Sequence, residues 1–327
     1  MIRVALDVLG GDAAPTTPVA AARAAAEAWP DEVEILLVGP PEAIVEELGV
    51  PLESGPFRIL PARDRIESGE SPALAVRRKP ESSIAVGLEA LRDGEADAFI
   101  SAGSTGAVMA ASVLKLGVLP GVDRPPVGAL VPTAAAPVLV LDVGANLNCR
   151  SGHLHQFAHL GTIYIRDLLG IERPRVGLLN VGEEAQKGGD LALAAHRSLS
   201  DDPALHFVGN VEGHQIIEGP CDVLVCDGFV GNVLLKFYES MAGFILGILG
   251  ETDASHTEIK EVLRFLDYTE SGGAPLLGVN GVTILCHGSS PARAIKNAIR
   301  AAIDSVKSGM VEHIRNDLER MAGGVGA

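Results

Sequence analysis

Positive charge is in short supply in this sequence: 26 lysines and arginines stand against 42 acidic residues, a formal charge of -16 at pH 7. Phosphate backbones and anionic membranes demand local positive charge. No broad nucleic-acid or anionic-lipid surface is therefore expected, and an anionic ligand must be met by a small basic pocket. Cysteine is scarce too. Cys149, Cys221, Cys226 and Cys286 form no CxxC pair and show no Cys/His ligand spacing, which argues against structural zinc and thioredoxin-like chemistry. They read as small buried hydrophobes in a reducing compartment. The opening MIRVALDVLGGD has no basic segment leading into an apolar run and a small-residue cleavage site, so no secretory signal is expected and the expected location is the cytosol. Long apolar runs are missing despite a mean hydropathy of +0.27. Val127 to Ala145 is broken by Pro132 and Pro137, and Met241 to Leu249 is about half of the roughly 20 residues that a membrane span needs.

What is present is a 327-residue chain, 47% hydrophobic, long enough for one large or two modest cores. Short β-rich runs ending in Gly or Asp alternate with Ala-rich amphipathic segments, the pattern of βαβ units. The expected fold is α/β, a doubly wound, mainly parallel sheet. Strands are expected at Arg3–Val8, Glu34–Val38, Phe57–Leu60, Ala98–Ser101, Val127–Val131, Val138–Asp142, Val176–Asn180, His206–Gly209, Val223–Asp227 and Val282–His287. Helices are expected at Thr17–Ala28, Ser83–Arg92, Thr105–Leu116, His153–Leu169, Leu191–Leu199, Asn232–Leu249, Thr257–Leu266 and Pro291–Lys307. No repeat or linker separates independent domains. If two lobes exist they are intimately joined, with crossings near Gly117–Pro126 and Glu270–Pro275.

In doubly wound folds ligands bind beyond the carboxyl ends of the strands, so glycines and polar residues directly after apolar runs are the candidates. They are Asp7 with Gly10, Gly11 and Asp12; Ser101, Gly103, Ser104, Thr105 and Gly106; Asp142, Gly144 and Asn146; Asn180, Gly182 and Glu184; Asn210 and Glu212; Asp227, Gly228, Gly231 and Asn232; and His287. The loop in AFISAGSTGAVMAA lies between a strand and a helix, where free backbone N–H groups can face an oxyanion. Taken alone it is equally a tight β–α turn that needs glycine. It is neither GxxxxGK[ST] nor GxGxxG with a downstream acid, and no GxSxG elbow occurs. Lys187 and Lys236 each follow a glycine-rich strand end closely and could reach a phosphate; the plain alternatives are an exposed loop lysine and a helix-surface residue pairing with Glu239 or Ser240. His287 ends an apolar strand and is expected at the same edge, or else as a buried structural histidine. His155 and His159 have an i,i+4 spacing, but no intervening Glu or accompanying carboxylate cluster is visible, so no metal site is expected.

Together the segments ALDVLGGDAAP, AVRRKPESSI, SAGSTGAVMA, LDVGANLNCR, RVGLLNVGEEAQKG, FVGNVEG, DVLVCDGFVGNVLLK, GGAPLLGVNG and HGSSPARAIKNAI resemble, in order and approximate spacing, the bacterial phosphate acyltransferases. That family makes acyl phosphate from acyl-carrier-protein thioester and inorganic phosphate for phospholipid (phosphatidic acid) synthesis. The resemblance implies a fold similar to isopropylmalate and isocitrate dehydrogenases and to phosphate acetyltransferases. It also implies one catalytic unit over 1–327, a homodimer joined through projecting helices in 232–267, and no cofactor, nicotinamide or metal. Its implied partners are acyl carrier protein, contact with the inner face of the membrane, and a glycerol-phosphate acyltransferase. The chain departs from the family pattern at Ser104, where asparagine is associated with the loop, at Asn148, where aspartate is usual, and in a shorter segment between Lys236 and Gly272.

With that reaction, the Ser101–Gly106 loop, the Asp227–Asn232 loop, Lys187 and Lys236 are expected to hold phosphate or oxyanion, and His287 to donate to the departing thiolate. An acidic carrier needs a basic face, for which Arg77, Arg78 and Lys79, or Arg293, Lys296 and Arg300, are the candidates. By its pattern alone the stripe of Asn232–Leu249 would pack inside its own subunit; the resemblance implies instead that Phe237 and Met241 lie at the dimer interface and that Phe244 to Leu249 rest on the bilayer. The alternatives are a β-decarboxylating nicotinamide dehydrogenase, for which no metal-binding carboxylate cluster or substrate arginine set can be assembled, and a non-catalytic membrane-docking scaffold, which leaves the polar strand ends unexplained.

Overall fold

The computed structural model describes residues 1–49, 56–250 and 272–324. Its strands are β1 (Ile2–Asp7), β2 (Val33–Gly39), β3 (Phe57–Pro61), β4 (Ala98–Ser101), β5 (Gly128–Val131), β6 (Val138–Leu141), β7 (Arg175–Asn180), β8 (His206–Glu212), β9 (Val223–Val225), β10 (Ala274–Pro275) and β11 (Val282–Leu285). Its helices are α1 (Thr16–Ala28), α2 (Pro41–Leu48), α3 (Pro72–Arg78), α4 (Ser83–Arg92), α5 (Thr105–Lys115), α6 (Ser151–Leu169), α7 (Asp190–Ser200), α8 (Gly228–Gly250), α9 (Ala292–Lys307) and α10 (Met310–Gly324).

The chain divides into two compact units, Met1–Pro125 with Gly272–Ala327, and Pro126–Ser271. Both divisions fall within the segments where crossings are expected. In the first unit the sheet order is β10, β11, β4, β1, β2, β3, with all neighbours parallel except β10 and β11. In the second it is β5, β6, β9, β7, β8, again parallel except for the β5–β6 pair. The expected fold class is the one observed.

Central strands are apolar on both faces because helices cover both. Leu6, Ile35, Leu36, Leu37, Phe99 and Ile100 are buried in the first unit, and Leu139, Val140, Leu141, Phe157, Val223 and Leu224 in the second. Full burial of such a side chain is worth about 1.5–3 kcal/mol. Helix α9 shows how the pattern sets the packing. Ala294, Ile295, Ala298, Ile299, Ala302 and Ile303 recur at three- and four-residue steps and are buried. On the opposite face Arg300 pairs with Asp304 and Glu32, and Lys307 also pairs with Glu32.

The strands expected to run through Asp142, Asp227 and His287 end at Leu141, Val225 and Leu285. The polar residues leave the ladder because their side chains bond to the following turns. Helix α8 begins at Gly228, not Asn232: Asp227 Oδ1 accepts from the N–H groups of Phe229 (2.9 Å) and Val230 (3.0 Å) and so starts the helix earlier. Helices α2, α3 and α10 have no counterpart among the expected elements. The first two are short and begin with proline, and among the described side chains of α10 only Met310, Ile314 and Leu318 are buried apolar steps. The expected helix Thr257–Leu266 lies outside the described residues.

Candidate active site

In the first unit, the loops after β1, β4 and β11 converge. Asp7 is buried, its Oδ2 accepting from Ser101 Oγ (2.6 Å) and its Oδ1 from the Leu9 N–H (3.0 Å). Burial pushes its pKa up, and the bonds from Ser101, Ser83, Leu9 and Gly10 restrain the rise. Ser101 Oγ also accepts from the Gly103 N–H (3.0 Å). Gly10 sits against this junction: a Cβ there would lie 2.7 Å from both Asp7 Oδ2 and Gly103 N, so only glycine allows the β1 loop to close on the β4 loop. The Asp12 N–H donates to the Gly288 carbonyl (2.8 Å) and the Cys286 N–H to the Ser101 carbonyl (2.8 Å), which brings the β11 loop alongside. His287 is exposed, and its Nδ1 accepts from the Ser289 backbone N–H (3.3 Å) with Ser289 Oγ 2.7 Å away. An accepting Nδ1 leaves Nε2 as the N–H donor of the neutral ring.

Helix α5 opens on this edge without a cap. Its N-cap residue, Ser104, makes no side-chain capping bond, and the backbone N–H groups of Ser104, Thr105 and Gly106 meet no acceptor among the described residues. Unbonded donors at the positive end of a helix can donate hydrogen bonds to an anion.

In the second unit, Asp142 is fully buried. It accepts from the N–H groups of Val127 (3.1 Å), Gly144 (3.2 Å), Ala145 (3.0 Å) and Asn146 (2.6 Å) and from Asn146 Nδ2 (2.9 Å). Burial raises its pKa and these donors oppose the rise. The Gly228 N–H donates to the Asn146 carbonyl (2.9 Å), and Gly231 lies so close to the Asp142 carbonyl that no side chain fits. Asn232 lies beside Gly144. The glycines Gly144, Gly228 and Gly231 thus seat α8 on the turn after β6. The first N–H donors of α8 are committed to Asp227, Asn146 and the helix itself, so they are not open to an anion as the loop expectation had it.

A second cluster follows β7 and β8. Asn180 Nδ2 donates to the Lys187 carbonyl (3.1 Å), and Asn210 Nδ2 to the Glu184 carbonyl (2.8 Å). Asn210 Oδ1 is buried without a donor. The Lys187 stem packs where a Gly182 side chain would be, and its ammonium stands 3.9 Å from Glu184. Glu212 stands 3.8 Å from His214. Lys236 is exposed on α8 and pairs with no carboxylate among the described residues, while its carbonyl accepts from Ser240 Oγ (2.8 Å).

Other sequence readings resolve differently. His155 and His159 do meet a carboxylate: each Nε2 lies 2.8 Å from Asp202 Oδ2, brought from beyond α7 at more than forty residues' separation. An ionised carboxylate accepts from both rings, so the cluster is complete as a hydrogen-bonded link, and burial holds the His159 pKa down. Of the basic clusters, Lys79 is bound to Glu70 (2.6 Å), and Lys296 and Arg300 lie over the Trp29 ring; Arg77 and Arg78 are exposed and meet no carboxylate among the described residues. Cys221, Cys226 and Cys286 are buried, and burial pushes the thiols of Cys221 and Cys286 up to about 12. No helix among the described residues is long and apolar enough to cross a membrane. Arg65, which donates to the Gly11 carbonyl (3.3 Å), escaped the sequence reading, since it follows no glycine-rich strand end.

Comparison with known proteins shows the fold and the family. The structure aligns with a branched-chain phosphotransacylase from Enterococcus faecalis V583 at a TM-score of 0.60 and 14% identity, over 94% of this chain and 100% of that one. It aligns with a 4-hydroxythreonine-4-phosphate dehydrogenase from Burkholderia phymatum at 0.50 and 14%, over 98% of each. Both likenesses are of fold. In sequence, the chain is 46% identical over 334 residues to a phosphate acyltransferase of Desulforamulus reducens, covering 99% of each. The profile of the family described as fatty acid synthesis protein matches residues 2–313. This chain therefore belongs to the phosphate acyltransferase family of fatty acid synthesis proteins.

Proposed function

We propose that the chain transfers a fatty acyl group from acyl-carrier-protein thioester to inorganic phosphate, giving acyl phosphate for phosphatidic acid synthesis. The observation that carries this reading is the uncapped start of α5, whose free N–H groups at Ser104, Thr105 and Gly106 suit a phosphate oxygen. Phosphate, with a second pKa near about 6–7, is substantially dianionic at neutral pH and needs no strong base. One phosphate oxygen forms a bond to the thioester carbonyl carbon, the carbonyl electrons move onto oxygen, and their return breaks the C–S bond. Lys187 and Lys236 supply charge for phosphate or oxyanion. His287, with its donor on Nε2, hydrogen-bonds the departing thiolate, and the proton that the phosphate loses on becoming acyl phosphate leaves with the carrier thiol. Asp7, Asp142 and Asp227 shape the turns. Exposed Arg77 and Arg78 offer an acidic carrier its landing face. Phe237 and Met241, both exposed, are proposed for contact with a partner subunit, and Phe244, also exposed, for the bilayer surface; Ile248 and Leu249 lie beyond the described side chains.

The test is incubation of the purified protein with acyl-carrier thioester and phosphate, trapping acyl phosphate as the hydroxamate with hydroxylamine. Phosphate-dependent hydroxamate is expected. Release of free acid independent of phosphate would replace the proposal with a thioesterase.

A further inference from the structure

The second unit holds a cavity of about 550 Å³ beyond the ends of β7 and β9, walled by α6, α7 and α8. Its volume lies in the roughly 300–1,000 Å³ range of small-molecule sites. The floor is apolar: Leu154, Leu178 and Cys226 are at most 3% exposed. The rim is apolar and open, with Val181 78% and Val233 55% exposed. Polar side chains enter the lining only at Asn180 and Asp227, both at the strand ends. Asp227 is already engaged by the start of α8, and Asn180 by the turn that carries Lys187.

We infer that this cavity receives the hydrocarbon tail of the acyl donor and that Ala192 and Val233 set which chain lengths fit. The inference rests on the acyl-transfer reading and adds to it the place and length selectivity of the chain. A flat protein partner would leave the deep floor unfilled, whereas one narrow chain with a polar head at one end fits the one-sided distribution of polar groups. The head then lies at Asn180, whose Nδ2 already holds the carbonyl of the Lys187 turn. Each methylene taken from water into such a site is worth about fourfold in binding. A long chain is accordingly favoured over a short one until the floor is reached. Ala192, on the α7 wall, controls depth; Val233, on the exposed face of α8, controls cover.

The experiment compares kcat/KM for palmitoyl and butyryl thioesters in the wild type, Ala192→Phe and Val233→Ser, with acyl phosphate as the readout. In Ala192→Phe the palmitoyl-to-butyryl ratio is expected to fall at least tenfold with butyryl turnover kept. In Val233→Ser, at an exposed position that tolerates a polar side chain, it is expected to fall about fourfold. If Ala192→Phe does not fold, Val233→Ser decides alone. Wild-type acyl phosphate formation with a ratio unchanged in the folded variants overturns the cavity assignment and leaves the reaction standing. No acyl phosphate from the wild type with either thioester overturns the reaction and the assignment together.

Discussion

The two units are built alike and finished differently. Reading across each sheet, an antiparallel edge strand is followed by parallel neighbours: β10, β11, β4, β1 and β2 in one unit match β5, β6, β9, β7 and β8 in the other, with β3 as an addition. The chain visits them in permuted order, since the first unit begins at its β1 and ends with β10 and β11, whereas the second begins with their counterparts β5 and β6. The match reaches single residues. Arg3, at the start of β1, clamps Asp97 through its own N–H (2.8 Å), Nε (3.1 Å) and Nη2 (2.6 Å); Arg175, at the start of β7, clamps Asp222 in the same way at 2.7, 3.2 and 2.9 Å. The carboxyl-end loops are where they part. The helix after β4 starts without a cap and leaves its donors free, while the helix after β9 starts on the Asp227 carboxylate and flanks an apolar cavity. One frame thus carries free N–H donors at one edge and an apolar cavity at the other, to which the proposals above assign an anion and a hydrocarbon chain.

The largest expected effect separates the two buried aspartates. Asp142 holds five donors in place and Asp7 fewer, so Asp142→Ala should cost on the order of 4 kcal/mol in urea unfolding and Asp7→Ala about half that. An Asp7 loss equal to the Asp142 loss would remove the distinction between a turn built by one carboxylate and a turn shared between loops.

Next in size is a change that makes the first unit resemble the second. Ser104→Asp gives α5 the carboxylate cap that α8 has in Asp227, which should stabilise the helix by about 0.5–1 kcal/mol while occupying and repelling at the anion site. Phosphate KM should rise at least tenfold with thermal stability unchanged or higher. An unaltered phosphate KM would place the anion elsewhere.

Much of this was legible in the sequence, and the gaps have physical causes. Strand ends marked by Gly, Asp and Asn were readable because only polar, small residues turn a buried parallel strand into a helix. The crossings near Pro126 and Gly272 were readable from turn chemistry. The shared frame was not: permuted order hides a repeat from a reading along the chain, and the clamp's Arg and Asp are separated by 94 residues in one unit and 47 in the other. The cavity was equally hidden, since Leu154, Ala192 and Val233 come from three helices and each alone looks like ordinary packing. The Asp227 segment looked like an open loop because capping depends on where one carboxylate oxygen points.

The smallest effect tests the shared frame itself. In both clamps burial raises the aspartate's pKa, but the hydrogen bonds and charge of the arginine outweigh it, so Asp97 and Asp222 titrate below the usual 3.8. A folded pKa below the unfolded one contributes stability that is fully present above the unfolded value and lost as pH falls through the folded value. Arg3→Ala and Arg175→Ala should therefore each lower stability at neutral pH, and the gap to the wild type should close only below about pH 4. Each guanidinium is more than a third exposed, so solvent screening limits the loss to about 1 kcal/mol. Asp222 is the more buried partner, 10% exposed against 27% for Asp97, so Arg175→Ala should cost slightly more. Urea titrations from pH 3 to 7 read both quantities. A gap that stays constant down to pH 3 would mean the arginines stabilise by packing and not by charge, and a larger loss in Arg3→Ala would show that the matching geometry of the two clamps does not carry matching energetics.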